Sequence, residues 1–369
     1  MHTIKKTLRI LGTRGIPAQH GGFETFAEHL ARYLTKNGWR VTVYCQEEGG
    51  GPVYEDEWQG IRLIRFPTKN KGALGTVLFD WKTTLHAARH QGGVLTLGYN
   101  TAIFCIVYRL LGLKNIINMD GLEWQRGKWS LAAKLWLYIN ERAGCLVGNH
   151  LIADHPEIKK HLETRVRSEK ITMIPYGAQS IDGADQTCLE LYGLRPQKYA
   201  IIIARPEPEN SILEIVAAFS KQKRGKMLVV LGDFNKANSR YRERVFAAAS
   251  EEVLFPGAIY DRHVINALRF FACLYVHGHQ VGGTNPSLVE ALGAGMPILA
   301  HNNRYNRWVA GDGNYYFSNT GECAQCFDLL LEDTALLQSL RQKNRQRHLE
   351  CFTWDGILTQ YEQLLLDKL

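Results

Sequence analysis

The stretch Val276-His277-Gly278-His279-Gln280-Val281-Gly282-Gly283-Thr284-Asn285-Pro286-Ser287-Leu288-Val289-Glu290-Ala291-Leu292-Gly293 constrains this chain more than any other. The apolar run from Phe271 to Val276 predicts a buried strand, the glycines a turn, and Ser287 onward a helix with Glu290 in its first turn. The first amides of such a helix lack intrahelical partners and stand at the positive end of its dipole. The loop is therefore suited to an anion such as phosphate. A carboxylate in that turn would repel a phosphate if it pointed inward, which assigns Glu290 to sugar hydroxyls alongside. Phosphate and hydroxyls together point to a nucleotide sugar.

The run Gly282 to Ala291 resembles the donor-binding signature of family-4 retaining glycosyltransferases of the two-domain GT-B fold. Most of that family carries a glutamate, seven residues and a second glutamate on this turn. Here Glu290 occupies the second position and Gly282 replaces the first. The wording Gly-Gly-Thr-Asn-Pro-Ser-Leu is similar to a subgroup of bacterial enzymes of polysaccharide assembly described as rhamnosyltransferases. The resemblance implies an α/β fold of two Rossmann-like, doubly wound domains facing a cleft. It also implies transfer with retention from dTDP-L-rhamnose to a lipid-linked oligosaccharide of O-antigen, capsule or exopolysaccharide assembly. Another hexose from a UDP- or GDP-sugar is the alternative donor, and an epimerase of nucleotide sugars shares the fold. No metal or other cofactor is implied. Donor contacts fall on His279, Gly283, Thr284, Asn285, Ser287, Leu288 and Glu290.

At 369 residues the chain is natural for two domains. Composition places them at 1–185 and 190–351, with a weakly periodic linker between and a final helix, 352–369, that in GT-B proteins crosses back onto the first domain. A net charge of +8 favours an anionic partner, and charge alone does not choose between a diphosphate, an anionic membrane face and nucleic acid. A nucleic-acid binder would leave Glu290 and the paired glycines without a role, so no nucleic acid is expected. The start, Met1 to Thr7, shows no apolar export segment, and Ala102 to Leu113 is interrupted by Arg109 and too short to span a bilayer. The expectation is a cytoplasmic protein, at most peripheral on the inner membrane face. Eight scattered cysteines fit reduced thiols there, and Cys323-Ala-Gln-Cys326 is read as structural.

The first domain opens with strand Leu8 to Leu11, a loop, a helix to about Asn37 and a strand from Arg40 to Tyr44. Gly21-Gly22 before that helix forms either a second anion-holding turn or a tight turn and nothing more. Ile61 to Phe66, Val94 to Leu97, Asn115 to Met119 and Cys145 to Ile152 read as further strands. Where many family-4 enzymes place a histidine, this chain and the resembled subgroup carry Asp120-Gly121-Leu122-Glu123-Trp124. Asp120 and Glu123 suit acceptor activation or recognition of sugar hydroxyls, and helix capping competes for Asp120. Trp129 to Arg142 predicts a helix mixing Lys134 with Trp136 and Tyr138, either a membrane-surface helix or a core-facing aromatic stripe.

The second domain opens at Tyr199 to Ile203. The family clamps the diphosphate there with an arginine and a lysine five positions later; Arg205 matches the first and Asn210 stands in the second place. Lys226 to Leu231, Val253 to Phe255, Leu274 to His277 and Ile298 to Ala300 continue its strands. His277 and His279 are assigned to sugar contact or core packing in preference to metal.

Overall fold

The computed structural model describes residues 6–19, 21–69 and 72–369. The first five residues and His20 lie outside the described set, and with them the expectation for the chain start and for part of the Gly21 loop.

The chain divides into two compact units, Met1–Pro175 with Asp355–Leu369, and Tyr176–Trp354. In the first, β1 (Thr7–Leu11), α1 (Gly22–Lys36), β2 (Arg40–Glu48), β3 (Tyr54–Trp58), β4 (Ile61–Thr68) and α2 (Gly72–Ala87) lead to β5 (Gly93–Leu97). Then follow α3 (Ile106–Leu110), β6 (Asn115–Asn118), α4 (Leu131–Val147), β7 (His150–Ala153), α5 (Pro156–Leu162) and β8 (Ile171–Met173). They build one sheet in the order β3-β4-β2-β1-β5-β6-β7-β8, parallel except for the antiparallel edge strand β3. Strands covered on both faces read as unbroken apolar runs, and Leu8, Ile10, Leu95, Ile116 and Ile117 are fully buried.

The second unit runs β9 (Tyr199–Ile203), α6 (Ile212–Phe219), β10 (Met227–Leu231), α7 (Ser239–Ala247), β11 (Val253–Gly257), α8 (Arg262–Phe271) and β12 (Leu274–His277). It continues with α9 (Pro286–Gly293), β13 (Ile298–His301), α10 (Arg304–Ala310), β14 (Tyr315–Phe317), α11 (Thr320–Glu332) and α12 (Thr334–Cys351). Its sheet, β11-β10-β9-β12-β13-β14, is wholly parallel. Two apolar clusters fill the unit: one holds Val216, Phe219, Val276 and Phe327, the other Tyr199, Tyr275, Leu292 and Phe352. In both sheets the winding reverses at a single place, between β1 and β5 in the first and between β9 and β12 in the second. Ligands of open α/β sheets bind at that crevice, beyond the carboxyl ends of the strands.

The last helix, α13 (Trp354–Lys368), returns to the first unit. Tyr361 packs on Phe26 with ring centroids 4.6 Å apart, and the Trp39 indole donates to Glu362 at 2.9 Å.

Several segments differ from the sequence reading. The boundary lies at Tyr176 instead of 185–190, because residues 177–181 are tied into the second unit: Ala178 N–H donates to the Phe352 carbonyl at 2.8 Å and Ile181 N–H to Gly293 at 2.9 Å. Phe271 ends α8 and the strand begins at Leu274. Cys145 to Val147 belong to α4 and the strand begins at His150. That helix starts at Leu131, where the Ser130 hydroxyl accepts from Ala133 N–H at 3.3 Å.

Candidate functional site

In the second unit the loops after β9 and β12 flank the winding reversal, and every donor residue read from the sequence of this unit lies on one of them or on α9. Backbone approach is very close: a Cβ on Gly278 would stand 2.1 Å from the Asn210 carbonyl oxygen. Gln280 joins the loops, its N–H donating to the Glu209 carbonyl and its side chain to the Ser211 hydroxyl, both at 2.9 Å. His279 stacks on the buried His277 with ring centroids 4.3 Å apart, and its carbonyl accepts from Asn303 at 2.9 Å and from Asn306 at 2.8 Å. Burial, the first cause, then the neighbouring His279 and His301 keep His277 well below its ordinary pKa, so it is neutral. This packing makes the pair supports of the loop.

Arg205 stands exposed at the carboxyl end of β9 and makes no ion pair among the described residues. Asn210 corrects the sequence reading. It is fully buried, and its amide donates to the Arg205 carbonyl at 2.8 Å, so it shapes the loop.

Glu290 also moves. The helix begins at Pro286 behind the cap residue Asn285, so Glu290 sits in the second turn and the first turn carries no acid. Proline suits that first position because its missing N–H has no helical partner to lose. The Glu290 carboxylate is held by the guanidinium of Arg269, a buried residue of α8. Sequence reasoning missed Arg269, since nothing in a helical arginine 21 residues away marks it as a partner. At Gly282 φ is +142°, and a Cβ would stand 2.9 Å from Asn285 Oδ1. Gly283 and Thr284 are buried; Leu288 is wholly so and packs in the core, which makes it a poor ligand contact, whereas Ser287 remains partly exposed.

In the first unit the matching reversal is flanked by the loops after β1 and β5. Gly21 caps α1 with φ +86°. The turn is met by the chain's own carboxylates: Glu24 accepts from Arg14 N–H at 3.1 Å, and Glu28 accepts from Ala18 N–H at 2.7 Å. Glu24 and Glu28 thus brace the loop that leads into Gly21.

Beyond β6, Asp120 holds a left-handed φ of +51° and caps no helix. Its N–H donates to Asn118 Oδ1 at 3.0 Å, and the Asn118 amide donates to the Tyr361 hydroxyl at 2.9 Å. Burial first, then the carboxylates of Glu123 and Asp154, push the Asp120 carboxyl up to about 7. Glu123 is oriented by Arg126 at 2.7 Å and the Trp129 indole at 3.3 Å, and its N–H donates to the Tyr99 hydroxyl at 2.8 Å. A carboxyl that titrates near neutrality at a strand end can exchange a proton with a substrate hydroxyl.

Among the described residues no group of three or more His, Cys, Asp or Glu is placed to hold a metal ion. Cys323 is buried in the core.

Residues 5–179 match the domain of unknown function DUF1972, and residues 194–347 match the family described as glycosyl transferases group 1. Among curated proteins none matches this sequence. Solved structures share the fold across the whole chain. The sucrose-phosphate synthase of Thermosynechococcus elongatus is 18% identical at a TM-score of 0.80, covering 98% of both chains. Anabaena Alr3699/HepE, solved in complex with UDP and glucose, is 14% identical at a TM-score of 0.77, covering 98% of this chain and 99% of that one. An α,α-trehalose-phosphate synthase from Burkholderia xenovorans, solved with glucose-6-phosphate, is 12% identical at 0.73, covering 97% and 99%. With two doubly wound α/β units, the chain has the two-domain GT-B fold, its first unit carrying the match to DUF1972 and its second the match to glycosyl transferases group 1.

Proposed function

We propose that the protein transfers a hexosyl residue with retention from a nucleoside diphosphate sugar, dTDP-L-rhamnose by the wording of its central turn, to a hydroxyl of a lipid-linked oligosaccharide. This is a step of O-antigen, capsule or exopolysaccharide assembly on the cytoplasmic side of a membrane. The observation that carries the reading is the pairing at one winding reversal of the exposed Arg205 with an acid-free helix start at α9 and the arginine-held Glu290. Cation and amides suit a diphosphate; a carboxylate fixed in place suits the hydroxyls of a ribose. HepE, bound to UDP and glucose in its crystals, is similar in fold.

In the reaction the bond from the sugar's anomeric carbon to the diphosphate oxygen breaks, and a bond to the acceptor oxygen forms on the same face. The diphosphate departs with the electron pair, and Arg205 with the amides of the α9 loop stabilises the charge gathering on it. Asp120 accepts the acceptor's hydroxyl proton, with Glu123 holding neighbouring hydroxyls. Because cationic and amide groups neutralise the diphosphate, the reading requires no metal.

The test incubates the protein with dTDP-rhamnose, UDP-glucose and GDP-mannose, each with and without a membrane lipid extract, and follows the sugar into lipid. Transfer from dTDP-rhamnose that survives EDTA is the expected result. Turnover of donor without acceptor would assign an epimerase instead. Transfer lost with EDTA and restored by manganese would overturn the diphosphate clamp described above.

A further inference from the structure

The first unit exposes a large apolar surface. On α4, Leu131, Leu135, Ile139 and Leu146 face solvent, with Leu131 86% and Leu146 76% accessible. Positions 131, 135 and 139 fall at successive four-residue steps and so line one helical face. The segment 103–111 adds Ile103, Ile106, Leu110 at 79% and Leu111. Hydrogen bonds tie the two segments together: Ile103 N–H donates to Asn140 Oδ1 at 3.0 Å and the Trp136 indole to the Asn100 carbonyl at 2.9 Å. From Leu131 to Leu146 the stripe runs about 22 Å at the helical rise.

The aromatic residues of this region divide between interior and surface. Trp124 and Tyr138 stack edge to face with centroids 5.4 Å apart, and the Trp124 indole donates to the buried Glu141 at 2.7 Å. They pack within the unit. Trp136 stays partly exposed on the apolar face.

Basic residues border this face. Residues 102–114 contain Arg109 and Lys114 and no acid, while α4 contributes Lys134 and Arg142. The single acid of α4, Glu141, is buried against Trp124, His161 and Arg165. At the far end of α4, Lys170 donates to the Cys145 carbonyl at 2.7 Å. With His150, Arg167 and Lys368 it lines a hollow of about 560 Å³, in which Glu169 is the one carboxylate.

A contiguous exposed apolar surface marks a place of association, and one bordered by lysine and arginine suits an anionic bilayer. No helix among the described residues is long and apolar enough to cross a membrane, so the face would lie on the bilayer. We propose that the face formed by α4 and residues 103–111 seats in the headgroup layer of an anionic lipid bilayer. The aliphatic side chains enter the acyl boundary, and Arg109, Lys114, Lys134, Arg142 and Lys170 meet lipid phosphates. The loop bearing Asp120 and Glu123 runs directly into α4, so this seating sets the sheet's carboxyl edge beside the membrane. The inference stands on surface composition and is independent of which sugar moves.

Co-sedimentation of the full chain with vesicles tests it. Binding to phosphatidylglycerol–phosphatidylcholine vesicles should exceed binding to phosphatidylcholine alone by tenfold or more and weaken in high salt. The combined substitution Leu131→Ser, Leu135→Ser and Ile139→Ser should lower partition at least tenfold with an unchanged far-ultraviolet circular dichroism spectrum. In the unaltered chain, brominated acyl chains should quench the part of the tryptophan emission that Trp136→Phe removes. Absence of that quenching, equal binding to neutral vesicles, or full binding by the triple variant overturns the proposal. So does sedimentation equilibrium showing a dimer that the triple variant converts to monomer, which would assign the face to a second copy of the chain.

Discussion

The two winding reversals use the same backbone plan and carry opposite chemistry. In the second unit a buried histidine pair, close-packed glycine and an acid-free helix start share the winding reversal with an exposed arginine, and the carboxylate that remains is neutralised by Arg269. In the first unit Glu24 and Glu28 accept from the loop amides of Arg14 and Ala18, and the adjacent strand end gathers Asp120, Glu123 and Asp154 with Arg126 on Glu123. Sheet topology thus fixes where a ligand binds; side chains at the strand ends decide whether an anion or a proton is handled there.

If that division is correct, the largest loss comes from the acidic side. Asp120→Asn should lower transfer by roughly 10²–10⁴-fold, the range of a positioned general base. In the intact enzyme Asp120 stays protonated up to about 7, so the rate should rise with pH through that value, and the asparagine variant should lose this limb. Stability moves the other way. The folded chain keeps this proton at pH values where the unfolded chain has released it, so between the ordinary carboxylate range and about 7 stability falls as pH rises. Thermal denaturation at pH 5 and pH 8 should show Asp120→Asn gaining relative to the parent at the higher pH. A flat comparison would remove the buried proton.

On the cationic side Arg205→Ala should cost about 10²–10³-fold in turnover with the melting temperature unchanged, because the guanidinium is exposed and structurally unpaired among the described residues. Arg205→Lys should recover part of it as a point charge without the fork. Asn210→Lys would not restore the family's second cation. It would place an ammonium where a fully buried amide now braces the loop. Next in size, Glu290→Ala should weaken nucleoside diphosphate and intact donor by similar factors, on the order of 1.5–3 kcal/mol. Because it also strands Arg269, Glu290→Gln separates the two roles, keeping a hydrogen-bonding partner for the guanidinium while removing the charge. Calorimetry in which Glu290→Ala leaves diphosphate affinity intact would move this carboxylate away from the ribose.

The parts legible in sequence were those where one physical signal dominates. Leu8 to Leu11 and Tyr199 to Ile203 are covered on both faces, and burial leaves unbroken apolar runs. Tyr54 to Trp58 gave no such signal, since it is a polar antiparallel edge beside β4. At Phe271 and Cys145 an apolar run crosses a helix end into a strand, and hydrophobicity alone does not mark the crossing. The donor loop was legible because glycines and Pro286 restrict backbone directly. The partners of its side chains were not: Arg269 and the Asn118–Tyr361 support of Asp120 come from distant elements that only the folded sheet brings together.

The smallest expected effect concerns Gly282, where the wider family carries a glutamate. A return to that residue would be expected to add a sugar contact if the turn were only missing a side chain. The turn is instead built around glycine: φ of +142° lies where residues with a Cβ are rare, and the new Cβ would stand 2.9 Å from Asn285 Oδ1. Asn285 precedes the first turn of α9, so pushing it aside shifts the backbone where that helix begins. Strain of this kind costs roughly 1–3 kcal/mol. Gly282→Glu should therefore lower the melting temperature and weaken the donor a few-fold, and Gly282→Ala should reproduce most of both effects because the obstruction begins at Cβ. Differential scanning fluorimetry and donor titration on the two variants separate backbone from carboxylate. A glutamate variant that binds donor more tightly than the parent, with alanine neutral, would show that the turn tolerates a side chain and that sugar selection does not rest on the backbone of Gly283, Thr284 and Asn285.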